Sequence, residues 1–351
     1  MDKVVLSAEI IPPKGGAFAL AVKVALLGFC AALVPLGVTL AIPEKDDGAY
    51  STRIKHKQLA RPEPGKIILV GGSNLSFGVD SGRITDRTGC IVANMGLNGY
   101  FGINYQLGEV LPHLRAGDKV VLILEYDAYL NPANGDPTTL IGVLKANPAA
   151  IRYMNLSQMG QVASRVPLVA QEKLSRLIKE GAASLFGGAE DDPYDIIYRF
   201  VSYRGYDSHG DVVAHLGTEW PLDLKQGLPM DKMPMRPEVV DAIEAFSREA
   251  REKNVAFAIS FTPVERKYYT KYQPYIHAIY KELDQKRKLP VVSTPGDYVF
   301  DKSMMFDTVY HLDAQGRRIR TEKLIGDLER GLGNGLDCRS TGAVTKGKIS
   351  S

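Results

Sequence analysis

The stretch Lys66-Ile67-Ile68-Leu69-Val70-Gly71-Gly72-Ser73-Asn74 decides the fold. Four consecutive aliphatic residues with no polar alternation read as a strand buried on both faces, the pattern of a parallel sheet covered by helices. The run stops in two glycines and a serine. The Ser73 hydroxyl is therefore expected at the carboxyl edge of the sheet, where open α/β folds keep their ligand sites, and Ser73 is the first candidate nucleophile. Working outward, residues 90–94, 119–124, 255–261 and 289–293 read as further buried strands. Residues 102–115, 237–253 and 266–287 read as helices, the first closed by Ala116-Gly117-Asp118. Strands alternating with helices predict an α/β domain over residues 66–330, with a mostly parallel sheet and helices on both faces.

That spacing breaks between about 130 and 234. A hundred residues exceed any plausible loop of a compact domain, so a helical insertion is expected there, with helical segments at 157–169 and 171–185, capping the sheet edge. Within it, Tyr194, Tyr198, Tyr203 and Tyr206 with Arg199 and Arg204 suit either a carbohydrate-stacking surface or ordinary cap packing. At the amino end, residues 24–42 carry no charge and as a helix would run about 28 Å, enough to cross a bilayer. Thr39-Leu40-Ala41 loosely resembles a signal-cleavage site, but the apolar run is longer than a usual signal core, so residues 1–42 read as an amino terminus and an uncleaved anchor. Lys3, Lys14 and Lys23 precede the span and Lys45, Arg53, Lys55 and Lys57 follow it, so flanking charge favours neither orientation. Residues 43–65, charged and proline-bearing, read as a tether, and 331–351 as a disordered tail.

With 43 Lys and Arg against 40 Asp and Glu, the formal charge is only +3, and no dense basic stripe invites nucleic acid. Cys30, Cys90 and Cys338 show neither CxxC pairing nor metal-ligand spacing; no metal or cofactor is expected, and the redox compartment stays open. Gly71-Gly72-Ser73-Asn74 lacks the lysine and length of a phosphate loop. Glu125 and Asp127, two apart at a strand end, lack the second wall a glycosidase acid pair needs.

A serine nucleophile at neutral pH needs a base, and histidine has the suitable pKa. Of six histidines, His56 lies in the expected tether, His113 ends a helix, His277 sits within an amphipathic helix, and His209 and His215 flank Gly210-Asp211 in the insertion; each reads as surface or packing. His311 differs. In Phe306-Asp307-Thr308-Val309-Tyr310-His311-Leu312 an acid precedes it and a helical pattern follows from Gln315, which places it on the loop from which a base can face a first-strand serine. Asp313 competes as the acid but opens Asp313-Ala314-Gln315-Gly316 and reads as a helix N-cap.

The order strand, Gly-x-Ser, glycine-bearing turn after the second strand, then Asp and His before the last helix resembles the SGNH (GDSL-like) hydrolase superfamily. The resemblance implies Ser73 as nucleophile on an ester carbonyl, His311 as general base and Asp307 as the acid that orients it. It implies an oxyanion hole from the serine's own N–H, a glycine matching Gly96 in Asn94-Met95-Gly96-Leu97-Asn98-Gly99, and an asparagine after the third strand. The chain departs from the pattern in three places. Gly72 replaces the signature aspartate, three residues instead of two separate Asp307 from His311, and the third site reads Leu124-Glu125-Tyr126-Asp127 without asparagine, leaving Asn98, Asn74 or Tyr126 as the third donor. An amino-terminal span before a diverged domain of this kind is similar to proteins that acylate cell-envelope polymers, such as those of alginate O-acetylation and teichoic acid D-alanylation. That similarity implies an extracytoplasmic domain, a serine acyl intermediate, an acylated glycan substrate and a membrane-bound O-acyltransferase partner. The alternatives are an esterase or lipase acting on small or lipid esters, and a non-catalytic partner of such an acyltransferase.

Overall fold

Ile67–Gly71 forms the first strand, β1, with every residue buried. Its side chains alternate between two apolar layers because successive residues of a strand point to opposite faces. Ile68 and Val70 join Val120, Leu122 and Leu124 in one layer, and Ile67 and Leu69 join Val92, Val121 and Ile123 in the other. Two buried faces leave no solvent side, which is why the run carries no polar alternation. β2 (Val92–Asn94), β3 (Lys119–Ile123) and β4 (Ala256–Ile259) complete a four-stranded sheet in the order β2-β1-β3-β4, all pairs parallel. Helices Ile103–Val110, Pro237–Glu252 and Arg266–Lys281 cover the first layer with Val110, Ile243, Phe246 and Ile276. Helix Ala314–Leu332 covers the second with Leu324, Ile325 and Leu328. The computed structural model describes residues 16–43, 48–186, 202–332 and 336–339.

The chain separates into two compact units, one joining the amino-terminal helix to the segment from Ser164, the other holding the sheet. In the first, helix Gly16–Ala41 is long and apolar enough from Phe18 to Ala41 to cross a membrane, with a mean hydropathy of 2.3. Its carboxyl end is closed from the later part of helix Leu156–Phe186: Lys173 Nζ donates to the carbonyls of Thr39 at 2.9 Å and Ile42 at 3.2 Å. A cation on the last carbonyls of a helix satisfies groups the helix itself leaves open.

Several sequence expectations are revised. The expected tether is folded over most of its length: Gly48–Ser51 is a 3-10 turn and Thr52–Leu59 a helix, with Leu59 and Lys55 fully buried. The charged side chain that suggested a solvated segment is matched internally, since Lys55 Nζ donates to Ser76 Oγ (3.1 Å) and to the carbonyls of Asn94 (3.0 Å) and Gly210. Burial lowers the Lys55 pKa to about 7 against the opposing charges of Asp211 and Asp207. The expected fifth strand at 289–293 is reduced to a parallel bridge between Ile259 and Val291, because Pro290 offers only its carbonyl and Lys288 before it adopts φ 52°. The two helical segments of the insertion form one helix, Leu156–Phe186, through Pro167. Residues 206–230 of the insertion are largely non-helical and bond to the sheet-bearing domain instead. Of the tyrosine cluster, Tyr194 and Tyr198 lie outside the described residues. Of the expected disordered tail, Leu336 is buried and Cys338 is disulfide-bonded to Cys90, while 340–351 lie outside the described residues.

Candidate active site

The sheet order places the chain reversal between β1 and β3, since the chain moves outward to β2 on one side and to β4 on the other. Ligand sites of open α/β sheets lie at this switch point, beyond the carboxyl ends of the strands. The register pairs Gly71 with Ile123, so the residues that follow, Gly72-Ser73 and Leu124-Glu125, leave the sheet side by side. Gly71 is required there because a Cβ would stand 2.1 Å from the Ile123 carbonyl oxygen.

Ser73 opens the short helix Ser73–Gly78. His311 Nε2 lies 2.8 Å from its Oγ, and His311 Nδ1–H donates to Asp307 Oδ1 at 2.7 Å. The extra residue between acid and base is absorbed by a local turn. Thr308 Oγ1 accepts the N–H groups of Tyr310 and His311, both at 3.1 Å, which folds Asp307 back toward the imidazole. Lys225 of the insertion clamps this turn through its backbone, donating to the Asp307 carbonyl at 2.8 Å and accepting from Val309 N–H at 3.1 Å. Phe77 stacks on the His311 ring at 4.1 Å with 1° between planes, and His215 packs behind Phe77 at 4.9 Å. His215 donates from Nε2 to the Leu312 carbonyl at 3.1 Å, and burial, with Arg317 and His311 adding repulsion, lowers its pKa to about 4. Asp313 caps the last helix instead of meeting the imidazole, its carboxylate accepting Gly316 N–H at 2.7 Å.

The other wall of the pocket differs from expectation. Glu125, 8% exposed, reaches across from the end of β3; its Oε1 accepts Asn74 N–H at 2.8 Å and lies 3.0 Å from Ser73 Oγ. A Cβ on Gly72 would meet Glu125 Oε2 at 2.4 Å, and one on Gly99 would meet it at 2.7 Å. Two of the three departures from the family pattern are thus one change in space: the missing side chain at 72 leaves the room that Glu125 fills. The signal that points to this residue is the pair of departures, at 72 and 125, read together.

The four residues expected around the oxyanion are placed as follows. The Gly96 N–H is given to Asn94 Oδ1 at 3.0 Å, and its lack of a side chain serves packing, since a Cβ would stand 2.7 Å from the Gly72 carbonyl oxygen. The glycine of that turn that faces the pocket is Gly99. Asn74 contributes its backbone N–H, while its amide donates to the Ile123 carbonyl and accepts from Arg320 at 2.8 Å. Asn98 is exposed and caps the following turn by accepting Tyr100 N–H. Tyr126 is fully buried against Phe261, its hydroxyl without a hydrogen-bond partner among the described residues. Below the site, Asp127 accepts from Tyr310 at 2.8 Å, Tyr268 at 3.3 Å and Leu228 N–H at 3.0 Å, and burial raises its carboxyl pKa. Among the described residues no cluster of three or more His, Cys, Asp or Glu is placed to hold a metal.

No family model and no curated protein matches the sequence. Among solved structures, one named "a putative platelet activating factor from Streptococcus pneumonia" is similar at 14% identity and a TM-score of 0.36, over 90% of this chain and 99% of that one. The likeness is too distant to carry an argument about the present site.

Proposed function

We propose that this chain is a serine-dependent acyl-ester enzyme of SGNH type, anchored to a membrane, that carries an acyl group on Ser73 and passes it to a hydroxyl of a cell-envelope polysaccharide. The observation that carries the reading is the unbroken line Ser73 Oγ, His311 Nε2, His311 Nδ1, Asp307 Oδ1, with contacts of 2.8 and 2.7 Å. In this order Asp307 holds the imidazole with its proton on Nδ1, leaving Nε2 to take the Ser73 proton as Oγ attacks an ester carbonyl. His311 then protonates the departing alcohol. A second hydroxyl, from the glycan or from water, gives its proton to His311, attacks the acyl-serine and releases Ser73.

Two features support an extracytoplasmic placement: the apolar helix Gly16–Ala41 and the Cys90–Cys338 disulfide, a bond that persists mainly in oxidising compartments. The test is labelling of the detergent-solubilised full-length chain with a fluorophosphonate, followed by peptide mapping, with acetyl transfer and hydrolysis measured with and without an acceptor polysaccharide. Ser73 should carry the label. Ser73→Ala should be unlabelled and lose activity by about 10⁴-fold or more, with its thermal midpoint within about 2 °C of the parent. Hydrolysis indifferent to acceptor would leave an esterase, and an unlabelled wild type would refute the serine mechanism.

A further inference from the structure

We infer that the later part of helix Leu156–Phe186 is an interfacial membrane helix, its exposed apolar face seated among lipid acyl chains just below the headgroups of the bilayer that the amino-terminal helix enters. The inference rests on the anchored reading above and adds a second contact with lipid, made by a different segment of the chain.

From Ser164 onward this helix belongs to the same compact unit as the amino-terminal helix. Three faces follow one another around it. Val166, Lys173 and Arg176, spaced i, i+7, i+10, share the side that meets the end of the anchor. The Val166 carbonyl accepts from Thr39 Oγ1 at 3.4 Å, Lys173 Nζ donates to the Thr39 and Ile42 carbonyls, and Arg176 Nη2 donates to the Pro43 carbonyl at 2.6 Å. Beside that side lie Leu174, Leu177, Ile178, Gly181 and Leu185, within an arc of about 100° at 3.6 residues per turn. The third face carries Glu172, Ser175 and Lys179.

The second face is apolar yet uncovered. Leu174 is 46% exposed, Leu177 51%, Ile178 65% and Leu185 80%, although apolar residues at this spacing ordinarily turn to a core. A contiguous apolar surface of this kind marks an interaction site.

Its occupant follows from what the adjoining face holds. Thr39, Ile42 and Pro43 stand where the uncharged run gives way to Glu44-Lys45-Asp46-Asp47, the point at which a spanning helix leaves hydrocarbon for headgroups. A helix bonded to those three carbonyls is held at that depth, and the face next to the bonds is the apolar one, as a lipid contact requires. Charge sets the limit of insertion. Arg165 pairs with Glu172 at 3.3 Å, Arg176 with Glu180 at 3.7 Å, and Lys179 is exposed, so the helix lies along the interface and does not cross it. A single span is free to tilt and to turn about its axis. An interfacial helix fastened to its end removes that freedom.

The experiment uses the full-length chain with Cys30→Ser, which removes the one cysteine outside the disulfide. Single cysteines replace Leu27, Ser175, Ile178 or Leu185, all exposed in the folded chain, and carry the fluorophore NBD. Each protein is reconstituted into phosphatidylcholine vesicles with and without a nitroxide on the acyl chain. Labels at 178 and 185 should lose about half their fluorescence to the nitroxide lipid and emit to the blue, while the label at 175 should be quenched about 3-fold less. Equal quenching at 175 and 178 would overturn the inference, because no face would then be turned to lipid. Labels at 178 and 185 that emit to the blue without being quenched would also overturn it, since a second copy or another protein would then cover the face. Emission there as in water would do the same. In each of these cases a quenched label at 27 leaves the anchor in place. An unquenched label at 27 would remove the anchored reading itself, and this inference with it.

Discussion

The two walls of the Ser73 pocket are built on different principles. The base wall, residues 306–312, is held by backbone: a threonine turn, the Lys225 clamp and the Phe77 stack fix His311 whatever the loop length, so one additional residue does no harm. The opposite wall is held by volume. Gly72, Gly99 and Glu125 share one small space, and a change at any of the three is felt by the others. Hydrogen-bonded loops absorb insertions, while close-packed pockets transmit single methyl groups.

The comparison would break most sharply at Asp307. Asp307→Asn keeps the shape of the base wall but presents an amide to Nδ1, favouring the wrong imidazole tautomer. Turnover should fall about 10³- to 10⁴-fold, close to the loss in His311→Ala, with the fold intact by circular dichroism. Loss of only a few-fold would mean that the acid does not orient the base.

A smaller effect is expected on the volume-held wall. Gly72→Ala would place its Cβ 2.4 Å from Glu125 Oε2, with no φ penalty since Gly72 is extended at φ −88°. The carboxyl must move, and kcat should drop about 10²-fold at a stability cost of about 1–3 kcal/mol. An active, undisturbed variant would show that the wall yields.

The least effect concerns the packing behind the base. His215 is neutral in the fold, with its pKa lowered from 6.5 to about 4 by burial. Between those values the unfolded chain binds the proton and the native chain does not. Stability contributed by neutral His215 is therefore full above pH 6.5 and lost as pH falls toward 4, by up to about 3 kcal/mol. Urea titrations at pH 7 and 4.5 should show this drop in the parent and a smaller one in His215→Phe; equal slopes with pH would refute it.

The strand at 67–71 was legible because burial on both faces leaves a local signature, and so was the four-strand core of the sheet. The pairing of Ser73 with His311, 238 residues apart, was legible as residue types in strand and loop contexts, although their contact is a fact of the tertiary structure. The segment at 48–59 was not, because a charged, proline-flanked stretch looks solvated unless the acceptors for its lysine are known, and those come from residues 76, 94 and 210.

By itself, then, the sequence determined the periodicities, the uncharged run at 24–42 and the identity of the reactive side chains, all properties carried within a few neighbouring residues. Only the tertiary structure decided that Glu125 fills the space beside Gly72, that Gly99 and not Gly96 packs against its carboxyl, and that Cys90 finds Cys338 across 248 residues. Those outcomes depend on the register of β1 against β3 and on the close packing of segments distant in the chain, and no local pattern encodes which side chain will occupy a volume that several distant backbones enclose.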